Sequence, residues 1–290
     1  MRRTRGSQIS RFLSLLAGFL LLTQAAFAQH AGIGAWENSS YTSLRWIERQ
    51  DGLHWYYNWR ADEIEGRGGQ RRTVEFVPMI HSAQNVDDPI ESALPPQALL
   101  GFNEPDGRGG DHQAGMTVDE AIALWPRLQA HGLRLGSPAT TRNGTLGPNS
   151  WQRRFMAEVE NRGLRVDFMA VHYYSTDGDV DAFHDWLVAV YREYQRPIWV
   201  TEFALIDWGQ PRLASYEANA VFAYEAINMM ETLPFLERHA WFAANPYNWQ
   251  GIVPAINLVD NTMRPTALGE AFADILSGRA RGPVASLASR

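Results

Sequence analysis

Eight short apolar runs, each stopped by glycine, proline or polar residues, recur along this chain at residues 32–36, 53–59, 74–80, 99–102, 133–137, 166–174, 197–203 and 239–244. Runs of this length without strict polar alternation read as strands buried on both faces. Between the later ones lie segments of helical periodicity, at residues 117–130, 179–194, 215–231 and 266–276. The first is the best marked: Thr117 and Glu120 are spaced for a capping box, and Gly132 stops the helix. Buried strands alternating with amphipathic helices belong to a parallel sheet, because each crossover lays a helix across one face. Eight such units favour an α/β chain folded as a single (β/α)8 TIM barrel, with an open doubly wound sheet as the competing arrangement. Connections after the second and third runs are short or irregular, so reduced outer helices are expected early in the chain. Neither a Gly-x-Gly-x-x-Gly fingerprint nor a P-loop occurs, which leaves a nucleotide-binding fold little support.

The N-terminus reads as a targeting segment rather than as part of the fold. Arg2, Arg3, Arg5 and Arg11 precede an apolar stretch at 12–22, followed by Ala26-Phe27-Ala28, which has the form of a signal peptide with its cleavage site. Residues 1–28 are therefore expected to be removed, and the mature chain to be secreted or periplasmic. The apolar stretch falls short of the roughly 20 residues a bilayer crossing needs, and no later one qualifies, so no membrane association is expected after cleavage. Residues 29–277 suit one barrel of the usual size, about 250 residues, and the small polar tail at 278–290 is expected to fray. The signal carries four arginines and no acid, so its loss leaves the remainder more acidic than the full chain's net charge of −6. That balance argues against nucleic acid or anionic lipid as a partner. Cysteine and lysine are both absent. Disulfides, thiolate nucleophiles, Schiff-base chemistry and lysine phosphate cradles are thereby excluded, and a monomer is the plain expectation.

Two acids stand where a barrel keeps its working groups, at the carboxyl ends of strands. Glu104 lies in Leu100-Gly101-Phe102-Asn103-Glu104-Pro105, where an apolar run meets polar residues and a proline. Glu202 follows Ile198-Trp199-Val200-Thr201. An acid placed against buried residues without a cation nearby in sequence costs stability, which points to function. A single acid of this kind could equally close a salt bridge or cap a loop. Two of them, on the fourth and seventh runs, face each other across a barrel mouth. Glycoside hydrolysis needs such a pair, one to protonate the leaving oxygen and one to attack the anomeric carbon or activate water. The 11 tryptophans include many beside polar residues, as sugar-stacking positions require. Core packing consumes tryptophan as well, and for any one of them it is the commoner use.

The run Gly101–Asp106 together with Trp199–Phe203 resembles glycoside hydrolase family 128, a family of retaining β-1,3-glucanases built on the barrel. The likeness extends to Trp55-Tyr56-Tyr57-Asn58-Trp59, Phe76-Val77-Pro78-Met79, Gly136-Ser137-Pro138-Ala139, the run from Val166 to Tyr174, and Ala240-Trp241-Phe242, in order over nearly the whole chain after the signal. The resemblance implies Glu104 as general acid/base and Glu202 as nucleophile of a double displacement on β-1,3-glucan, cut within the chain. It further implies that Asn103 holds the sugar 2-hydroxyl, that Tyr174 orients Glu202, and that Trp241 floors the subsite nearest the scissile bond. Trp36, Tyr57, Trp59 and Trp208 are candidate stacking residues, with Asn58 and His172 beside them as candidate substrate contacts. His172 reads equally as a satisfied buried histidine. Ile80-His81 and Arg60 depart from the family pattern at the cleft rim, which bears on subsite length and linkage geometry. No cofactor or metal is expected, since no His-x-His pair marks the first strand. Two other readings stay open on the residues alone: an exported glycan-binding barrel without activity, and a transglycosylase on the same glucan.

Overall fold

The computed structural model describes residues 31–110, 112–280 and 282. The expected signal peptide lies outside the described residues, as does the tail beyond 280 apart from residue 282. Among the described residues no helix is long and apolar enough to cross a membrane.

Among the described residues, eight strands and seven helices follow one another as β1 (Ala31–Gly34), α1 (Ser43–Ile47), β2 (Trp55–Tyr57), β3 (Glu75–Phe76), β4 (Ala98–Leu99), α2 (Val118–Gln129), β5 (Arg134–Leu135), α3 (Arg142–Thr145), α4 (Trp151–Arg162), β6 (Met169–Ser175), α5 (Val180–Tyr194), β7 (Ile198–Leu205), α6 (Tyr216–Glu231), β8 (Leu236–Trp241) and α7 (Ala267–Leu276). Parallel ladders join β3-β2-β1-β8-β7-β6 and, separately, β4-β5. Two single parallel bridges span the gaps, Met79 to Leu100 and Gly136 to Phe168. The ring thus closes in sequence order, and the fold is the (β/α)8 barrel. No helix separates β2 from β3, and only a single 3-10 turn at Ala83–Asn85 separates β3 from β4, as the irregular connections suggested.

Four strands, β2 to β5, are far shorter than the apolar runs that predict them. Pro78 and Pro138 follow β3 and β5 and have no N–H to donate, so the ladder stops there and resumes as isolated bridges. The helix α4 was not expected from the sequence. Its charged face of Arg153, Arg154, Glu158, Glu160 and Arg162 masks a buried stripe of Trp151, Phe155, Met156 and Val159. Its end signals are standard: the Ser150 side chain accepts from the Arg153 N–H, and Gly163 turns left-handed after the last turn.

Inside the ring, alternate residues of β2 fill the barrel while the one between faces the helices, as period two requires. Trp55 and Tyr57 join Val77, Met79, Leu100, Phe168 and Trp199 in an interior cluster, whereas Tyr56 belongs to the outer core. Glycines on β1 make room for the indoles: a Cβ on Gly32 would lie 2.3 Å from Trp55, and one on Gly34 would lie 2.4 Å from Trp59. The amino-terminal end is plugged by Arg238, which pairs with Glu75 at 2.7 Å and lies 4.3 Å over the Trp199 ring. Function is thereby confined to the opposite mouth.

Candidate active site

A cleft of about 990 Å³ opens at the carboxyl ends of the strands, and all eight strands or the segments following them contribute to its wall. Glu104 and Glu202 both line it. One oxygen of each carboxylate and a ring nitrogen of His172 all lie within 4.8 Å of one another.

Glu202 reaches the interior because of an irregularity in β7, not because the strand ends there; the strand continues to Leu205. Against β6, Val171 pairs with Val200 but His172 pairs with Glu202, so Thr201 is an extra residue on β7. Val200 packs outward against the helices, and strict alternation from it would send Glu202 outward as well. The bulge reverses the alternation. Phe203 then faces outward and Glu202 faces the mouth beside His172.

Four groups hold this carboxylate. Trp59 donates its indole N–H to Oε1 at 2.9 Å, Tyr57 reaches the same oxygen at 3.3 Å, and Tyr174 donates to Oε2. His172 Nε2 lies 3.4 Å from Oε1. Burial and the neighbouring carboxylates push the Tyr57 and Tyr174 phenols well above the usual tyrosine range, so both remain O–H donors. Trp59 holds its indole in place from a left-handed backbone, φ 61°.

Glu104 sits just beyond β4, also left-handed at φ 42°, a conformation that costs a non-glycine residue on the order of 1–3 kcal/mol and persists where surroundings over-determine it. Its N–H donates to the Ala139 carbonyl at 2.7 Å, and its carbonyl accepts from Gly107 at 3.0 Å. The side chain receives two partners: His172 Nδ1 at 3.0 Å on Oε1, and the Gln113 amide at 2.7 Å on Oε2. Asn103, immediately before it, is clamped through its side-chain amide to the His112 carbonyl, while its side-chain oxygen is buried among the described residues with no hydrogen-bond partner.

The electrostatics couple these three groups. Burial pushes the Glu202 carboxyl up; His172 opposes and the Glu104 charge adds to the rise. Burial also disfavours the charge on Glu104, but hydrogen bonds and charge from His172, joined by Gln113, outweigh it and hold that carboxyl below its ordinary value. Burial disfavours a charged His172, yet Glu202 and Glu104 together raise it. Two carboxyls this close titrate as a pair. Their surroundings push the two in opposite directions, Glu202 up and Glu104 down.

Several expected contacts need correction. Trp241 does not floor the cleft. It is fully buried on the outer side of β8, donating to the Ile256 carbonyl at 2.8 Å and packing edge-on against Phe203. The neighbouring Phe242 lines the cleft instead, since side chains one residue apart face opposite sides of a strand. Tyr57 is too deeply buried to stack on a sugar; its hydroxyl bonds the Thr201 carbonyl at 2.9 Å and reaches Glu202. Asn58 is tied into its own loop by Asp62 and Arg60 and does not line the cleft. His172 is fully buried and touches both carboxylates rather than the open cleft. Each of its nitrogens faces a different carboxylate, so the three residues form an ion-pair cluster and not a converging ligand set.

Trp36, Trp59, Asn103, Tyr174 and Trp208 do line the cleft. Tyr247 and Trp249 were missed; they join Trp208 and Phe242 in an aromatic wall, Tyr247 meeting Trp208 and Phe242 edge-on and Trp249 tilted against Trp208. Their sequence signal was the aromatic-polar run Pro246-Tyr247-Asn248-Trp249 just after the last strand. Gln113 and the polar group Thr141, Arg142 and Asn143 were missed too, and nothing in their local sequence distinguishes them from loop.

Residues 33–272 match the family model for the glycosyl hydrolase catalytic core. Among solved structures, an endo-β-1,3-glucanase of glycoside hydrolase family 128 (subgroup I) from Amycolatopsis mediterranei, in complex with laminaritriose, is 34% identical and superposes with a TM-score of 0.69 over 85% of this chain and 99% of that one. A subgroup II endo-β-1,3-glucanase from Sorangium cellulosum is 26% identical, with a TM-score of 0.66 over 85% of this chain and 98% of that one. Alkali-sensitive linkage protein 1 of Schizosaccharomyces pombe is 28% identical over 223 residues, which are 71% of this chain but only 39% of that longer protein. The chain belongs to the glycosyl hydrolase catalytic core family and, within it, to glycoside hydrolase family 128.

Proposed function

We propose that this protein hydrolyses β-1,3-glucan with retention of configuration, Glu202 acting as nucleophile and Glu104 as general acid/base. The observation that carries the reading is the approach of the two carboxylates, whose nearest oxygens lie within 4.8 Å. Retaining enzymes hold the pair about 5–5.5 Å apart, whereas inverting ones leave a wider gap for water. The supports fit the division of labour. Glu202 is the better anchored, with Trp59 donating to one oxygen and Tyr174 to the other, as an attacking group requires. Glu104 is the more accessible, its side chain 14% exposed against 5% for Glu202. Its Oε2 lies on the Gln113 side, away from the fully buried His172.

In the first step Glu104 gives its proton to the leaving oxygen as Glu202 forms a bond to the anomeric carbon. In the second, Glu104 takes a proton from water, which displaces Glu202. The unpartnered side-chain oxygen of Asn103 is available to accept from a sugar 2-hydroxyl. Cutting within the chain is supported by the two similar endo-β-1,3-glucanases, and sugar binding beside the carboxylate pair by the aromatic Trp36, Trp208, Tyr247 and Trp249 and the polar Thr141, Arg142 and Asn143. The β-1,3 linkage is supported by the relatives of known activity. Action after export is supported by the signal-like pattern of arginines, apolar run and Ala26-Phe27-Ala28 at 1–28.

The direct test is reducing-sugar release from β-1,3-, β-1,4- and mixed-linkage glucans by wild type, Glu104→Gln and Glu202→Gln, with proton NMR of the first-formed anomer. The β-1,3 polymer should be cleaved to a β-anomer, with activity lowered at least about a hundredfold by either substitution. Unchanged activity in either variant would remove the assigned roles, and an initial α-anomer would remove retention.

A further inference from the structure

We propose that Gln113 is a positioning residue for Glu104: its amide holds the cleft-facing Oε2 in the free enzyme, and the incoming sugar displaces it, which raises the proton affinity of the general acid when the acid is needed. The proposal rests on the hydrolytic reading above.

The loop after β4 is built to present this side chain. Its base is clipped by the Met116 N–H on the Pro105 carbonyl at 2.8 Å and by the Ala114 N–H on the Asn103 carbonyl at 2.7 Å. The Gln113 side-chain oxygen accepts from the Arg108 N–H at 3.0 Å, which turns the amide nitrogen toward Glu104. Gly107 leaves the space through which the side chain passes, since a Cβ there would lie 2.4 Å from its amide carbon. Beyond it, His112 meets the Tyr247 ring edge-on at 5.4 Å, so this end of the loop touches the segment after β8 across the mouth.

Oε1 of Glu104 is engaged by the buried His172, so Oε2 is the oxygen left to protonate a glycosidic bond. Gln113 occupies it at 2.7 Å, the distance a leaving oxygen must itself approach. A hydrogen bond donated to a carboxylate favours its ionised form, and Gln113 is among the groups that hold Glu104 down. The bond thus opposes protonation of Glu104 until a sugar takes its place. Displacement removes that donor, and the affinity of Glu104 for a proton rises as the leaving oxygen takes its place.

The test replaces Gln113 with methionine, of similar length but with no N–H. Profiles of kcat/KM against pH report the free enzyme, and those of kcat report the complex. On a β-1,3-gluco-oligosaccharide, Gln113→Met should move the alkaline limb of kcat/KM upward by about one pH unit, while the alkaline limb of kcat stays where wild type has it. No movement of the kcat/KM limb overturns the proposal. Equal movement of both limbs overturns displacement by the sugar. Carbon-13 NMR titration of the Glu104 carboxyl, assigned against Glu104→Gln, gives the same comparison without substrate. If wild type cleaves no glucan the hydrolytic reading fails, and the NMR shift still decides whether Gln113 controls Glu104.

Discussion

Tyr174 and Tyr57 both reach Glu202, but they do different work. Tyr174 gives its hydroxyl to Oε2 of Glu202. Tyr57 gives its shorter bond to the Thr201 carbonyl, at 2.9 Å against 3.3 Å to the carboxylate. A hydrogen bond to a charged group contributes roughly 1.5–3 kcal/mol, so Tyr174→Phe is expected to lower kcat about tenfold to a hundredfold with KM little changed. Tyr57→Phe should keep kcat within about threefold and lower the unfolding temperature, because it strips a partner from the backbone of the bulge. Steady-state kinetics and thermal unfolding of both variants separate the two roles, and equal kinetic losses would refute the division. At this scale the two acids were legible in the sequence because an acid against an apolar strand is costly unless used. The route by which Glu202 faces inward was not. It depends on one extra residue at Thr201, and a bulge leaves no mark in a run of buried side chains. Gln113 was equally hidden, since its role arises from a loop fold and not from any periodic pattern.

Element by element, the sequence disclosed strands and capped helices where periodicity and end signals agreed. Val118–Gln129 carries the expected capping box in full, and α5, α6 and α7 fall within a residue of expectation. Agreement failed where one signal was diluted. The charged face of α4 hid its apolar stripe, and prolines cut short the runs that became β3 and β5. The end of β8 shows how small an error moves a residue out of a site. Trp241 and Phe242 are adjacent, but the first packs toward Phe203 and Phe272 and the second lines the cleft. Substitution should divide them accordingly. Phe242→Ala is expected to raise KM for β-1,3-gluco-oligosaccharides about twofold to tenfold, since a stacked ring contributes on the order of 0.5–1.5 kcal/mol, and to cost stability as well because the ring is largely buried. Trp241→Ala is expected to cost about 3–5 kcal/mol of stability, the usual result of emptying a buried aromatic site. Oligosaccharide binding by calorimetry and denaturant unfolding would measure the two, and a binding defect confined to Trp241→Ala would reverse the placement.

At the scale of the whole molecule, the barrel separates a plugged, stabilising end from a mouth that carries strain. Glu104 and Trp59 adopt left-handed backbones there, and Glu202 is buried deeply enough that its donors and His172 do not offset the loss of water around its charge. The cost has a definite pH dependence. In the unfolded chain a glutamate titrates near 4.3; in the folded protein burial raises Glu202 above that. The folded state therefore holds its proton more tightly, and stability attributable to this group is fully present below the unfolded value and is lost as pH rises through the folded one. Glu202→Gln removes the titration while keeping the side-chain shape. The variant is expected to unfold at a higher temperature than wild type at neutral pH, by roughly 2–4 °C for each kcal/mol gained, and the difference should shrink to nothing as pH falls below about 4. Calorimetric scans of both proteins between acid and neutral pH test this directly. A variant no more stable than wild type at neutral pH, or a gap that widens toward acid, would mean that the donors around Glu202 outweigh its burial and that the site's function is carried without a stability cost.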